Sequence, residues 1–180
     1  MRWVFAAEAG LIVTVALLAF FSPASAANVP QQLRGKSITL SWTDNRVEKI
    51  LDRGDTVSGT QTNNVKLYVG DRGTVFSQFE RSVGRGVTEK KDVSGSAQTL
   101  HWHAEGNTLV GDRLFKSGAV RVSISFDGSF STCSISVVHG KQGGAPIRYT
   151  NLAGTHHNEL VSINVVSTSC TVSSGNVFSP

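Results

Sequence analysis

The 180-residue sequence is short of everything that marks a membrane protein, a helical protein or a familiar enzyme. Its longest uncharged apolar run is AGLIVTVALLAFF, Ala9 to Phe21, which stops after 13 residues. A spanning helix needs about 20. Few stretches repeat apolar residues at helical spacing. No G-x-S-x-G, Ser-x-x-Lys or H-E-x-x-H occurs, and Gly84-Arg85-Gly86 lacks the third glycine and the strand-to-helix setting of a phosphate loop. These absences point to no catalytic residue and no cofactor.

The short apolar run has a different meaning. Arg2 precedes it, Ser22-Pro23 ends it, and Ala24-Ser25-Ala26 is a small-x-small cleavage site. The expectation is a signal peptide over residues 1–26, then one β-rich domain over 27–180 with no permanent membrane span after cleavage. The chain is then periplasmic or secreted. Cysteine is scarce, and in an oxidising compartment the only pair, Cys133 and Cys170, favours one disulfide over two buried free thiols. Closing the 37 residue steps between them is worth about 3–4 kcal/mol in the chain-entropy model.

The formal net charge is +4 and the isoelectric point about 9.3. The bases are nevertheless scattered, and the densest group, Lys90-Lys91 with Arg81 and Arg85, is interleaved with Glu80, Glu89 and Asp92. No nucleic-acid partner is expected. A modest positive charge suits solubility, or weak attraction to anionic envelope surfaces.

What the mature sequence does have is alternation, rich in Val, Ile, Thr and Ser and punctuated by Gly with Asp or Asn. Ile38, Leu40 and Trp42 share one face of a strand over Lys36 to Thr43. Val65, Leu67 and Val69 share a face of the next clear strand, and Asp71-Arg72-Gly73 forms a three-residue hairpin loop pairing Val69 with Val75 and Val65 with Phe79. On the other face Tyr68 meets Phe76. Between these strands, Asp44 to Asn63 is expected to hold a short edge strand near Val47 to Leu51 and a long loop. Arg81 to Ala97 and Gly140 to Asn158 are expected to be loops. Leu100, Trp102 and Ala104 alternate with His101 and His103, and a strand follows from Thr108 to Leu114.

Gly118 to Phe126 alternates most cleanly. Asp127-Gly128 predicts a two-residue turn pairing Val120 with Ile135 and Val122 with Cys133, which aims Cys133 at the core. In the last strand, Glu159 to Val172, the apolar parity changes at Val165-Val166, which predicts a β-bulge. The fold class is therefore all-β, either an antiparallel up-and-down barrel, lipocalin- or avidin-like in general architecture, or a two-sheet sandwich.

The segments Leu33 to Arg46 (LRGKSITLSWTDNR), Phe126 to Val138 and Cys170 to Phe178 (CTVSSGNVF) together resemble small exported proteins of unassigned function encoded by alphaproteobacteria. That resemblance implies a Gram-negative periplasmic or secreted location. It implies no activity and no site residues.

Three functional readings follow. The first is a non-catalytic binding module of the cell envelope, whose partner is a small apolar ligand or an envelope protein, with Trp42 and Trp102 lining a ligand cavity. The second is a metal-dependent enzyme or metal-handling protein. His101 and His103 stand two apart on a strand and so point the same way, and His156-His157 with Glu159 supply further ligands. The third is a small outer-membrane barrel, against which stand the 14 aromatics (3 Trp, 2 Tyr, 9 Phe), too few for two girdles.

Overall fold

Residues that alternate β-branched or aromatic with hydroxylated side chains fit a sheet with one dry face, and the chain forms ten strands on that principle. The structure is a computed structural model describing residues 29–84, 87–92, 101–115, 118–141, 146–150 and 154–179. The predicted signal peptide lies outside them. After a 3₁₀ turn at Gln31–Leu33 come β1 (Lys36–Ile50), β2 (Thr56–Val69), β3 (Val75–Val83), β4 (Val87–Asp92) and β5 (His101–Glu105). Then follow β6 (Thr108–Phe115), β7 (Gly118–Phe126), β8 (Cys133–Lys141), β9 (Ile147–Thr150) and β10 (His157–Ser174). None of the described helical segments is long and apolar enough to cross a membrane.

The strands form two antiparallel sheets, a six-stranded one in the order β4-β3-β2-β1-β10-β9 and a four-stranded one in the order β5-β6-β7-β8. Read around both sheets, this is the order of a closed meander opened between β4 and β5 and between β8 and β9. The larger sheet curls like half a barrel and the smaller forms a second layer, so the all-β expectation holds. The core lies between the layers. Ile38, Leu40 and Leu67 from the first sheet meet Leu109, Val122 and Ile124 from the second, all fully buried. The Cys133–Cys170 disulfide joins β8 to β10, with the two Cα atoms 5.6 Å apart.

The β2–β3 hairpin has the expected register, and Gly73 takes the left-handed conformation at φ 81°. The bulge is also where the parity change puts it. Thr43 pairs with Ser167 and Asp44 with Val165, so Val166 is the extra residue. A second slip leaves Val161 over, and both unpaired valines are exposed.

Four expectations require correction. Residues 44–63 are not an edge strand and a long loop: β1 and β2 run on, both central, with only a tight turn between them at residues 51–55. The polar residues that made this stretch look like a loop bond to one another inside the sheet. Arg81 to Ala97 is not a loop over its described part, since β3 continues to Val83 and β4 pairs back on it with Val83 opposite Val87. Gly140 to Asn158 likewise contains the end of β8, the edge strand β9 and the start of β10.

The fourth correction concerns β7 and β8. Phe126 pairs with Cys133, Ile124 with Ile135 and Val122 with Val137. The two-residue turn is replaced by a wider loop because Asp127 and Phe130 both have better uses. The Asp127 carboxylate accepts the backbone N–H groups of Ser131 (2.8 Å) and Thr132 (3.0 Å). Phe130, at φ 55°, tucks beneath the core with its ring 5.6 Å from that of Phe126. The register moves by an even number of residues, so every side chain keeps its expected face.

Candidate functional site

Charged residues collect in an unexpected place, on the inward face. Past Trp42 the inward parity of β1 continues through Asp44, Arg46 and Glu48, and that of β2 through Asn63 and Gln61. Asp44 is fully buried and accepts from Asn63 Nδ2 at 3.0 Å, while Asn63 Oδ1 accepts from Gln61 Nε2 at 2.8 Å. Arg46 donates to Gln61 Oε1 and to the Tyr149 hydroxyl (3.0 Å), and its Nε lies 3.2 Å from Glu48 Oε1. Its guanidinium sits 5.3 Å from the centre of the Tyr149 ring. Asn158 Nδ2 closes the group on Glu48 Oε2 at 2.8 Å. Burial, with Glu48 close by, pushes the Tyr149 phenol above its usual range although Arg46 opposes it. A buried charge is tolerated only when paired and hydrogen-bonded, and this chain of partners pairs each charge, although among the described residues Arg46 Nε and Asn158 Oδ1 are buried without a hydrogen bond.

His139 extends the network into the second sheet. It follows Ile135 and Val137 on the inward row of β8, and its Nε2 lies 3.2 Å from Asp44 Oδ1. Chemically, a carboxylate that fixes an imidazole can orient a base. Here it also ties β1 to β8 across the layers.

The residues singled out from sequence are placed as follows. His101 and His103 lie on the exposed face of β5, with His103 Nε2 2.9 Å from Glu105 Oε1. His156 and His157 belong to the other sheet's end, where Asp52 Oδ1 is 3.2 Å from His157 Nδ1 and Oδ2 is 3.7 Å from His156 Nδ1. The backbone N–H of His157 lowers the Asp52 carboxyl below its usual range, aided by both imidazoles. Among the described residues no group of at least three His, Cys, Asp or Glu side chains is arranged to hold a metal ion. Trp42 is buried and packs near Phe79, with ring centres 6.3 Å apart. Trp102 is half-buried and lies flat on Gly111. Both indole N–H groups are buried and have no hydrogen-bond partner among the described residues.

The outward face of the large sheet is the converse of the interior. Along β1 it reads Ser37, Thr39, Ser41, Thr43 and Asn45. Directly opposite on β10 stand Ser173, Thr171, Ser169, Ser167 and Asn164. On the β2 side the partners are Tyr68, Lys66, Asn64, Thr62 and Thr60. Lys66 is the single charge over these five positions of the three rows, and Lys49 paired with Glu159 follows beyond Val47. At one end Tyr68 stacks beside the exposed Phe76, with centroids 6.2 Å apart and planes 24° from parallel. The chain after β10 folds back onto the same end. Ser37 Oγ donates to Gly175 O (2.6 Å) and accepts from Val177 N (2.8 Å), which buries this outward serine and leaves Phe178 exposed. At the other end Asn45, Val47, Ser58, Thr60, Ser162 and Asn164, with Arg46, line a shallow open groove of about 470 Å³.

Sequence reasoning missed both regions. The signal for each was present: the inward parity of β1 does not stop at Trp42, and its outward parity meets no charge from Ser37 to Val47. No family model matches the chain, and no curated protein matches it.

Proposed function

We propose that this chain is an exported, non-catalytic binding module of the cell envelope that meets its partner through the outward face of β10, β1 and β2. The observation that carries the reading is the charge-poor, in-register array on that face, where hydroxyls and amides surround the single charge of Lys66. A solvent-facing sheet ordinarily carries mixed Lys, Arg, Glu and Asp. In this chain the central strands direct Asp44, Arg46 and Glu48 inward and place mainly hydroxyls and amides outside from Thr39 to Asn45. A disulfide between β8 and β10 suits a protein working outside the cytosol.

The test is site-specific photocrosslinking in the native host. A crosslinker at Ser169 or Thr171 is expected to trap one reproducible partner. The same group at Ser123, on the outward side of the second sheet, is expected to trap none. Equal capture from the two sheets refutes a role for this face. Converting the exposed Ser169 to Asp is expected to abolish capture from Thr171 while moving the melting temperature little, since exposed substitutions usually change stability by less than about 0.5 kcal/mol.

A further inference from the structure

We infer that the partner of this outward face is an uncharged polysaccharide, an inference that rests on the binding-module reading above. Three features converge on that chemistry. First, the array offers hydroxyls and amides, each able to donate and to accept, which is the functional complement of a sugar ring edged with hydroxyls. Second, it nearly lacks charge. An anionic glycan, a nucleic acid or a lipid headgroup is recognised through clustered Lys and Arg. Here Lys66 stands alone from the aromatic end to the Asn45–Asn164 pair, and the charges beyond it, Lys49 and Glu159, face each other with opposite sign. Charge complementarity therefore selects a neutral ligand. Third, aromatic rings flank the array. Tyr68 and Phe76 lie nearly parallel, 43 % of Phe76 is exposed, and Phe178 joins them at the same end of the sheet. An exposed aromatic face takes up the apolar C–H face of a pyranose, and such planar contacts give affinity at small entropic cost.

The geometry suits a polymer more than a single sugar. Outward side chains along a strand repeat about every 6.8 Å and neighbouring strands lie about 4.8 Å apart. The array is thus a lattice extending from the aromatic end to the groove at Asn45 and Asn164, long enough for successive sugar units to make similar contacts. Weak contacts repeated along a polymer add up to useful retention.

The experiment uses the mature protein, disulfide intact, in pull-downs on cellulose, chitin, amylose and dextran, with alginate as the anionic control. Retention on at least one neutral glycan, little changed by high salt, is the expected result. Phe76→Ala and Thr171→Asp should each weaken it about tenfold, the scale of one lost aromatic contact or one desolvated charge, with melting temperatures unchanged. Retention that survives both substitutions overturns the assignment to this face, and salt-sensitive retention on alginate alone overturns the neutral ligand. If no neutral glycan retains the protein while crosslinks from Ser169 still trap an envelope protein, the polysaccharide inference falls and the binding-module reading stands. If both experiments are blank, both readings fall.

Discussion

The two ends of the space between the sheets are built from the same strands by opposite means. On β1, Ile38, Leu40 and Trp42 fill one end. Asp44, Arg46 and Glu48, on the same face, fill the other. The apolar end is held by area removed from water and by the Cys133–Cys170 bond. The polar end is held by directed bonds that leave few alternatives in how β1, β2, β8 and β9 sit. Each end carries a tie from β8 to the large sheet, and among the described residues β8 forms a ladder with β7 alone. The contrast teaches that face periodicity alone decides where a side chain goes. The chemistry at that place is a separate choice.

The comparison breaks most sharply at Asp44. Asp44→Ala removes the acceptor shared by Asn63 and His139 in a fully buried position. A loss of about 3–5 kcal/mol in urea unfolding is expected, the usual consequence of stripping one partner from a buried network. Leu40→Ala, at the apolar end, is expected to cost about 2–5 kcal/mol by leaving a cavity. The two differ in what rescues them. Replacing Asp44 and His139 together by Leu should recover much of the first loss, whereas nothing at His139 should recover the second. If Asp44→Ala costs under about 1 kcal/mol, water serves the network equally well and the polar end is no brace.

Next in size is the disulfide. Changing Cys133 and Cys170 together to Ser should lower stability by about 3–4 kcal/mol. The same shift should appear when the wild type is unfolded with reductant present. Identical melting of both forms would show that the Asp44–His139 tie suffices. Smaller again is Gly111→Ala. A Cβ there would meet the Trp102 ring at 2.9 Å, so the indole must move. Overpacking of this kind costs about 1–3 kcal/mol. Trp102→Leu in the same chain should restore most of it. An unchanged melting temperature would mean that the indole moves at no cost.

The interior of the apolar end was readable from sequence because it obeys the simplest rule. Ile38, Leu40, Val65, Leu67, Val122 and Ile124 alternate with polar residues and are all buried. The bulge was readable too, since a parity change has few other causes. The far halves of β1 and β2 were not. Gln61 and Asn63 look like loop residues until Asp44 and Arg46 are known to stand beside them, and those contacts join residues far apart in sequence. The Asp127-Gly128 turn misled for a local reason: that aspartate caps the next residues' N–H groups instead of entering a tight turn. Even so, an error of even length in register leaves every face correct, which is why Cys133 was rightly aimed inward. The outward array escaped notice because hydroxylated residues on a wet face attract no attention singly. Only the pairing of β1 with both neighbours shows that they form one surface.

The smallest expected effect separates the two ends by pH. Tyr149 is the polar end's phenol, and its pKa is raised, chiefly by burial. A raised pKa means that folding favours the protonated form. Its contribution is therefore fully present below the phenol's unfolded value near 10, and it is lost as the pH climbs toward the folded value. Stability measured by urea unfolding should thus fall as the pH rises above about 10, and Tyr149→Phe should flatten that fall while costing some stability at neutral pH through the lost bond to Arg46. The variant needs no change in the Cys133–Cys170 region, so the apolar end serves as its internal control. A wild type and a Tyr149→Phe variant with parallel alkaline profiles would show that the phenol is as well solvated folded as unfolded, and the polar end would then be open to water where the packing of Arg46 on Tyr149 says it is closed.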